Sequence, residues 1–260
     1  MTLKNNTITP PHQHIVSFSG GKDSTAMLLH MIELNMQIDD IVFLDTGVEF
    51  PQMYEHIDRV EKYIGRKITK LKSNKSFEYC LLEHPLKGET AKKYGKGYNF
   101  PNARNRWCTG ELKIAVLNDY IKDKNVIKYV GIASDEPKRI KNEQYPLVDW
   151  GWTEKKCLDY CYSKGFDWGG LYKYFNRLSC WCCYMQSVQD LRMLRKHFPE
   201  LWNKLKSWEA KAWNNLRPDH SLDWYEKRFR LEDKLGYSLN LRKYADKEML
   251  NRYIEETNIF

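Results

Sequence analysis

An apolar, β-prone run, His14-Ile15-Val16-Ser17-Phe18, stops at Ser19-Gly20-Gly21-Lys22-Asp23-Ser24, and a helix-compatible run over residues 25–32 begins at once. Few folds accept that order. The chain must leave a strand, reverse in a tight glycine turn and enter a helix. Such a turn presents backbone N–H groups at the positive end of a helix dipole, an arrangement suited to phosphate or pyrophosphate. Gly20 and Gly21 permit positive φ and close backbone approach. Ser19 and Ser24 add hydroxyl donors. The spacing fits neither a Walker A loop nor Gly-x-Gly-x-x-Gly. Ser-Gly-Gly alone would be an ordinary turn, whereas the whole stretch at a strand-to-helix junction favours a nucleotide.

The next apolar run, Asp40-Ile41-Val42-Phe43-Leu44, reads as a buried parallel strand and ends in Asp45-Thr46-Gly47-Val48-Glu49-Phe50-Pro51. Ligands of open α/β sheets sit beyond the carboxyl ends of strands, so Asp45, Thr46 and Glu49 are expected beside the first loop. Alone, Asp45 would be a capping or turn aspartate. Pro51 suits the first turn of a helix reaching about Ile64, stopped by Gly65, and residues 67–71 read as a third strand. Residues 84–103, with several Gly, Pro and Lys, read as a mobile loop over the nucleotide. Thr109 is placed to cap a helix carrying Lys113, and Arg104 and Arg106 offer forked donors for phosphate or sulfate. Residues 126–132 are another strand, and residues 145–150 a last strand leaving the core.

Near Gly151 the composition changes to Trp-, Tyr- and Lys-rich helical patterns, with Leu191, Leu194, Phe198, Leu201, Trp202, Leu205 and Trp208 expected in a core. The predicted division is therefore a nucleotide-binding domain over 1–150 and a helical region over 151–260. Strand–helix alternation in the first part predicts an α/β, doubly wound, mainly parallel sheet with a C-terminal helical, Cys-containing appendage.

The 260 residues carry a net charge of +8, which favours anionic partners such as nucleotides or nucleic acid but also fits an ordinary basic surface. No run of eighteen apolar residues occurs and residues 1–6 show no apolar signal core, so a cytoplasmic protein without membrane contact is expected. Seven Cys without a leader argue against a disulfide framework. Cys180 and Cys183 form a Cys-x-x-Cys pair, which supplies two ligands, and closed zinc or cubane sites take four. Cys108 and Cys161 are the natural remaining two, with Cys182 or Cys157 as substitutes. An iron–sulfur cluster, a structural zinc and free or redox-active thiols all stay open.

The Ser19–Ser24 stretch resembles the PP-loop of the ATP pyrophosphatase superfamily, an adenine nucleotide α-hydrolase-like fold. Asp45-Thr46-Gly47-Val48-Glu49-Phe50-Pro51 is similar to the second signature of the phosphoadenylylsulfate (PAPS) reductase-like family within it. Arg106-Trp107-Cys108-Thr109, with Leu112-Lys113 following, resembles a further segment of that family. The resemblance covers residues 14–183. Around Gly131, Ile132, Glu136 and Arg139 it is partial: Ala133 and Pro137 stand where relatives show Arg and Ser. The four cysteines resemble the cluster ligands of some members, including the DNA-phosphorothioation ATPases. Two marks of assimilatory sulfate reductases, a C-terminal Cys segment and a later Cys-x-x-Cys pair, are missing after Cys183.

The resemblance implies cleavage of ATP between its α and β phosphates and adenylylation of an acceptor for sulfur transfer, with Mg2+. The implied catalytic residues are Asp23, Lys113 and Arg139. The implied nucleotide contacts are Ser17, Ser19, Gly20, Gly21, Lys22, Asp23, Ser24, Asp45, Thr46, Gly47, Arg106, Gly131 and Glu136. The implied metal ligands are Cys108, Cys161, Cys180 and Cys183, for a 4Fe-4S cluster or, alternatively, Zn2+. Partners would be an adenine nucleotide and a nucleic acid or sulfur-donor protein. Two alternatives stand beside this: reduction of phosphoadenylyl or adenylyl sulfate, and a non-catalytic nucleotide- or nucleic-acid-binding module with structural zinc.

Overall fold

The computed structural model describes residues 12–178 and 180–257. The lead-in read at residues 1–13, with Pro10 and Pro11, therefore lies mostly outside the described residues, as does the terminal stretch 258–260. The expected alternation is present. Strand β1 (Gln13–Ser17) leads to helix α1 (Lys22–Glu33), β2 (Asp40–Asp45) to α2 (Pro51–Ile64), and β3 (Thr69–Lys72) follows. Strand β4 (Val126–Val130) completes a sheet of order β3-β2-β1-β4 in which every pairing is parallel. This is an α/β doubly wound sheet. The order in which strands are added reverses between β1 and β4, and the crevice beyond their carboxyl ends is where such sheets bind ligands.

Each element has a local cause. Ile15 and Val16 are buried on both faces of β1, as in a parallel sheet covered by helices. Pro51 opens α2, whose apolar stripe is Met53, Ile57 and Val60, and Gly65 ends it at φ +65. Gly131 follows β4 where the backbone comes close to the start of α1. A Cβ there would lie 2.7 Å from both Cα and N of Ser24. Only glycine lets the end of β4 lie against the first turn of α1.

The chain divides into two compact units, Met1–Ser76 with Cys108–Cys180 and Phe77–Trp107 with Trp181–Phe260. The break expected at Gly151 falls inside the first unit, because α8 (Glu154–Ser163) packs on α1 through its buried Cys157 and Cys161. Residues 84–103 belong to the second unit. Instead of an open loop they form α4 (Gly88–Tyr94), a Pro85–Lys96 bridge and the buried pair Asn99 and Phe100.

Two further expectations are corrected. Residues 145–150 are not a strand. Gln144 alone bridges Tyr129, and Pro146 then sets the first turn of the short helix α7 (Pro146–Asp149), since its fixed φ favours helical entry. Thr109 is not the expected helix cap. It sits at φ −72, ψ −42 inside a helical run that begins with α5 (Trp107–Thr109), widens to a π-helical turn (Gly110–Ile114) and ends as α6 (Ala115–Ile121).

The second unit is helical. Helices α9 (Val188–His197), α10 (Pro199–Glu209) and α11 (Leu222–Leu235) bury the expected Leu191, Leu194, Trp202, Leu205 and Trp208. Trp208 stacks on Phe77 from α3 (Phe77–Leu82) and on Trp181. Helix α12 (Tyr244–Thr257) closes on α11 around Leu231, Leu239 and Leu250. Among the described residues no helix is long and apolar enough to cross a membrane.

Replacing Gly131 by Ala forces a methyl group into the Ser24 backbone, where no flexible side chain can yield. We expect Gly131→Ala to cost at least about 1–3 kcal/mol, the usual scale of overpacking. A thermal melt with an unchanged midpoint would contradict this.

Candidate functional site

The loop between β1 and α1 is braced from beneath by residues more than a hundred positions away. Gly20 turns at φ +77, and its carbonyl accepts the indole Nε1–H of fully buried Trp168 at 2.7 Å. The N–H of Lys22 donates to Tyr172 Oη at 2.8 Å. Both aromatic residues lie on one 3-10 segment, Trp168–Lys173, entered through three consecutive positive φ values: Trp168 +51, Gly169 +60 and Gly170 +82. A positive φ on a tryptophan costs about 1–2 kcal/mol. The geometry is retained because it delivers the indole to Gly20 and the phenol to Lys22.

Below Trp168 the imidazole of His56 stacks at 4.5 Å, and its Nε2 pairs with Thr25 Oγ1 at 3.0 Å. Burial, reinforced by the positive charge of Arg59, pulls the His56 pKa down to about 3. The ring is therefore neutral at ordinary pH. Ser24 Oγ ties the turn internally: it accepts the Ser19 N–H at 3.2 Å, lies 3.0 Å from Ser19 Oγ and donates to the Gly21 carbonyl at 3.1 Å. Helix α1 starts after Gly21 without a side-chain cap from within the turn; the Lys22 N–H is taken up by Tyr172, and the positive end of the helix dipole stands behind the turn. The predicted Ser19, Gly20, Gly21 and Ser24 thus form one concave turn. Ser17 lies just before it at the end of β1, and Gly131 closes its side by giving space rather than a donor.

Beside the turn, Asp23, Glu136 and Glu154 bring carboxylate oxygens within 4.8 Å of one another. The buried Lys22 ammonium pairs with Asp23 at 3.2 Å and with Glu154 at 3.3 Å. Glu136 also accepts Arg139, at 2.8 and 2.6 Å. Burial pushes the Asp23 carboxyl up, with Lys22 opposing and the other two carboxylates adding to the rise. Asp23 Oδ1 is buried without a hydrogen-bond partner. Hard oxygen donors around an unsatisfied buried carboxylate fit a divalent cation such as Mg2+.

At the end of β2, Asp45 Oδ1 accepts the Gly47 N–H and Tyr54 Oη, both at 2.8 Å, while Lys72 lies 3.7 Å from its other oxygen. Thr46 donates to Glu49 at 2.8 Å, and Cys180 Sγ lies 3.5 Å from Thr46 Oγ1 and 3.6 Å from Glu49 Oε1. The predicted Asp45, Thr46 and Gly47 therefore share one strand end, and Cys180 joins them.

The remaining predicted residues lie on several elements. Cys161 is fully buried on α8, its thiol toward the Lys22 carbonyl at 3.5 Å, with Cys157 and Asp23 as neighbours. Burial pushes both Cys157 and Cys161 thiols up, so in this arrangement they are protonated. Cys108 is half-buried in the helical run, where Lys113 occupies the π-helical turn. Cys183 and exposed Arg106 belong to the second unit. Sequence reasoning missed Trp168, Tyr172, His56 and Glu154. The Gly169-Gly170 pair signalled a sharp turn, but nothing local says what that turn braces.

Residues 13–186 match the family model described as the phosphoadenosine phosphosulfate reductase domain. The chain is 29% identical over 220 residues to an uncharacterised protein of Methanocaldococcus jannaschii, covering 75% of this chain and 40% of that protein. It is 27% identical over 199 residues to the phosphoadenosine 5'-phosphosulfate reductase of Buchnera aphidicola, covering 73% of each. The first three curated relatives are longer proteins, of which the chain spans 40%, 45% and 50%. A solved structure, the PAPS reductase of Candida auris in complex with phosphate, aligns at 17% identity over 68% of this chain and 84% of that one, with a TM-score of 0.46.

The neutral, buried His56 has a stability consequence. Its pKa is about 3 in the folded chain against an ordinary 6.5, so between those values the unfolded chain binds the extra proton. Stability from this group is present above pH 6.5 and is lost as pH falls, by up to about 1.4 kcal/mol per unit. Wild type should lose roughly 1–2 kcal/mol more than His56→Gln between pH 6.5 and 5. Parallel pH profiles of the melting temperature would contradict it.

Proposed function

The chain belongs to the phosphoadenosine phosphosulfate reductase domain family, and on that premise we propose that it cleaves ATP between the α and β phosphates and adenylylates an acceptor for sulfur transfer. One observation carries the reading: the α1 turn, without a side-chain cap at Gly21 and braced by Trp168 and Tyr172. A rigid set of donors at a helix N-terminus favours the charge that develops on departing pyrophosphate.

In this proposal the N–H groups of Gly20 and Gly21 and the hydroxyls of Ser19 and Ser24 hold the pyrophosphate. Asp23, with Glu136 and Glu154, is the proposed Mg2+ ligand set, supported by the unpartnered Asp23 Oδ1. A bound Mg2+ would neutralise charge on the phosphates. Lys113 and Arg139 are proposed to stabilise the transition state, Arg139 on leaving the Glu136 carboxylate that now holds it. Asp45, Thr46 and Gly47 at the end of β2 are the proposed nucleoside contacts. Cys108, Cys161, Cys180 and Cys183 stay the proposed metal ligands, since thiolates select iron–sulfur clusters or zinc. Iron and sulfide, or zinc, measured on anaerobically purified protein tests that set.

A second reading, reduction of an adenylylated sulfate, is favoured by the similarity to the Buchnera reductase. The two separate cleanly. Our reading predicts Mg2+-dependent pyrophosphate release from ATP, reduced by about 10²-fold in Asp23→Asn, the scale of losing one charge-stabilising group. Sulfite release from phosphoadenylyl sulfate with a thiol reductant, and no pyrophosphate from ATP with any acceptor, would establish the reductase instead.

A further inference from the structure

The second unit carries an aromatic pair that the nucleotide reading does not use. Tyr94, at the end of α4, stacks on Trp213 with ring centroids 3.9 Å apart and planes 17° from parallel. Trp213 is nevertheless 45% exposed, so much of its indole stands in solvent. A tryptophan recruited only for packing would be covered, as Trp202 and Trp208 are in the same unit at 2% and 1%.

The pair is rigidly mounted. Asn99, 2% exposed, accepts the Trp213 N–H through its side-chain oxygen at 2.6 Å. Its own carbonyl accepts the Trp107 indole at 2.7 Å. One residue beyond Trp213, Asn214 mimics a strand partner for Phe100: its Oδ1 accepts the Phe100 N–H at 2.8 Å and its Nδ2 donates to the Phe100 carbonyl at 3.0 Å. Three hydrogen bonds thus join 99–100 to 213–214 and fix the backbone from which the indole, stacked on Tyr94, projects. An exposed ring held so tightly has little conformational entropy left to lose on meeting a flat ligand.

The surroundings are cationic. Residues 83–106 carry six Lys or Arg against two Glu. Both glutamates are engaged, Glu83 by Lys96 and Glu89 by Lys92. Lys87, Lys93 and Arg104 in this stretch, and Lys211 two residues before Trp213, are exposed and have no carboxylate partner among the described residues. Lys93 Nζ lies 4.9 Å from the centroid of the Tyr94 ring, so positive charge stands directly at the stack.

From this combination we infer that the Tyr94–Trp213 platform and its lysines bind single-stranded nucleic acid. An open, oriented indole accepts an unstacked base, and cations spaced along α4 and the Trp213 turn follow a phosphate backbone. A duplex offers the same phosphates but keeps its bases inside the stack. A polyanion without bases offers the charge alone.

The test is fluorescence anisotropy of the full chain with labelled fifteen-nucleotide single strands, one RNA arm and one DNA arm. Controls are a duplex of equal length and heparin as competitor. Binding should weaken steeply between 50 and 200 mM salt, and the duplex should bind less tightly. Trp213→Ala, an exposed change, should keep its melting temperature and weaken single-strand binding by about tenfold, the effect of losing one stacked base. Trp213→Phe should restore most of the affinity, and Lys87→Ala with Lys93→Ala should reduce the salt slope. The inference is overturned if neither strand binds at low salt. It is equally overturned if Trp213→Ala binds as wild type does, because the attraction is then charge alone.

Discussion

The site depends on a buried hydrogen bond from the Trp168 indole to the Gly20 carbonyl, which ties the later part of the sheet unit to the glycine turn of the earlier part. The strand and helix that flank the glycine turn form from local sequence. Their shared turn is a different matter, because positive φ at Gly20 and an uncapped helix start leave it only the Ser24 hydroxyl contacts as internal support. Trp168 supplies that support from beneath, Tyr172 from the side, and Gly131 by absence of a side chain. The strained entry to the Trp168 segment shows that the fold accepts a local cost to place these groups.

The electrostatics follow from the same arrangement. Packing α8 on α1 buries Cys157 and Cys161 and brings Glu154 to Lys22 and Asp23. Three carboxylates then share a small region with one buried lysine, and one Asp23 oxygen has no partner. The lysine-bridged arrangement is present here; in the proposed function a divalent cation would take these oxygens instead. Burial of His56 as a neutral ring under Trp168 keeps further charge out of the foundation.

What could be read from the sequence was what neighbours decide. The order of strands and helices, the Pro51 start and Gly65 stop, and the Ser19–Ser24 turn are local, and they are present as expected. So is the gathering of Asp45, Thr46 and Gly47 at a strand end, which topology dictates. Trp168 and Tyr172 were invisible as loop supports because 148 and 150 residues separate them from their partners. The allocation of residues 77–107 to the helical unit was hidden for the same reason, since Asn99 and Phe100 are fixed by residues 114 positions away. Thr109 failed as a cap because the helix had already begun at Trp107, and Pro146 opens a short helix where the apolar pattern alone suggested a strand.

In the proposed function the braced turn grips pyrophosphate. Calorimetric titration of inorganic pyrophosphate with Mg2+ into wild type and Trp168→Phe tests it most directly. Phenylalanine keeps the stack on His56 but cannot donate to Gly20. The account predicts saturable binding to wild type, and binding at least about tenfold weaker in the variant, the scale of one lost buried hydrogen bond. Equal affinity in the two proteins, or no binding to either, would contradict it.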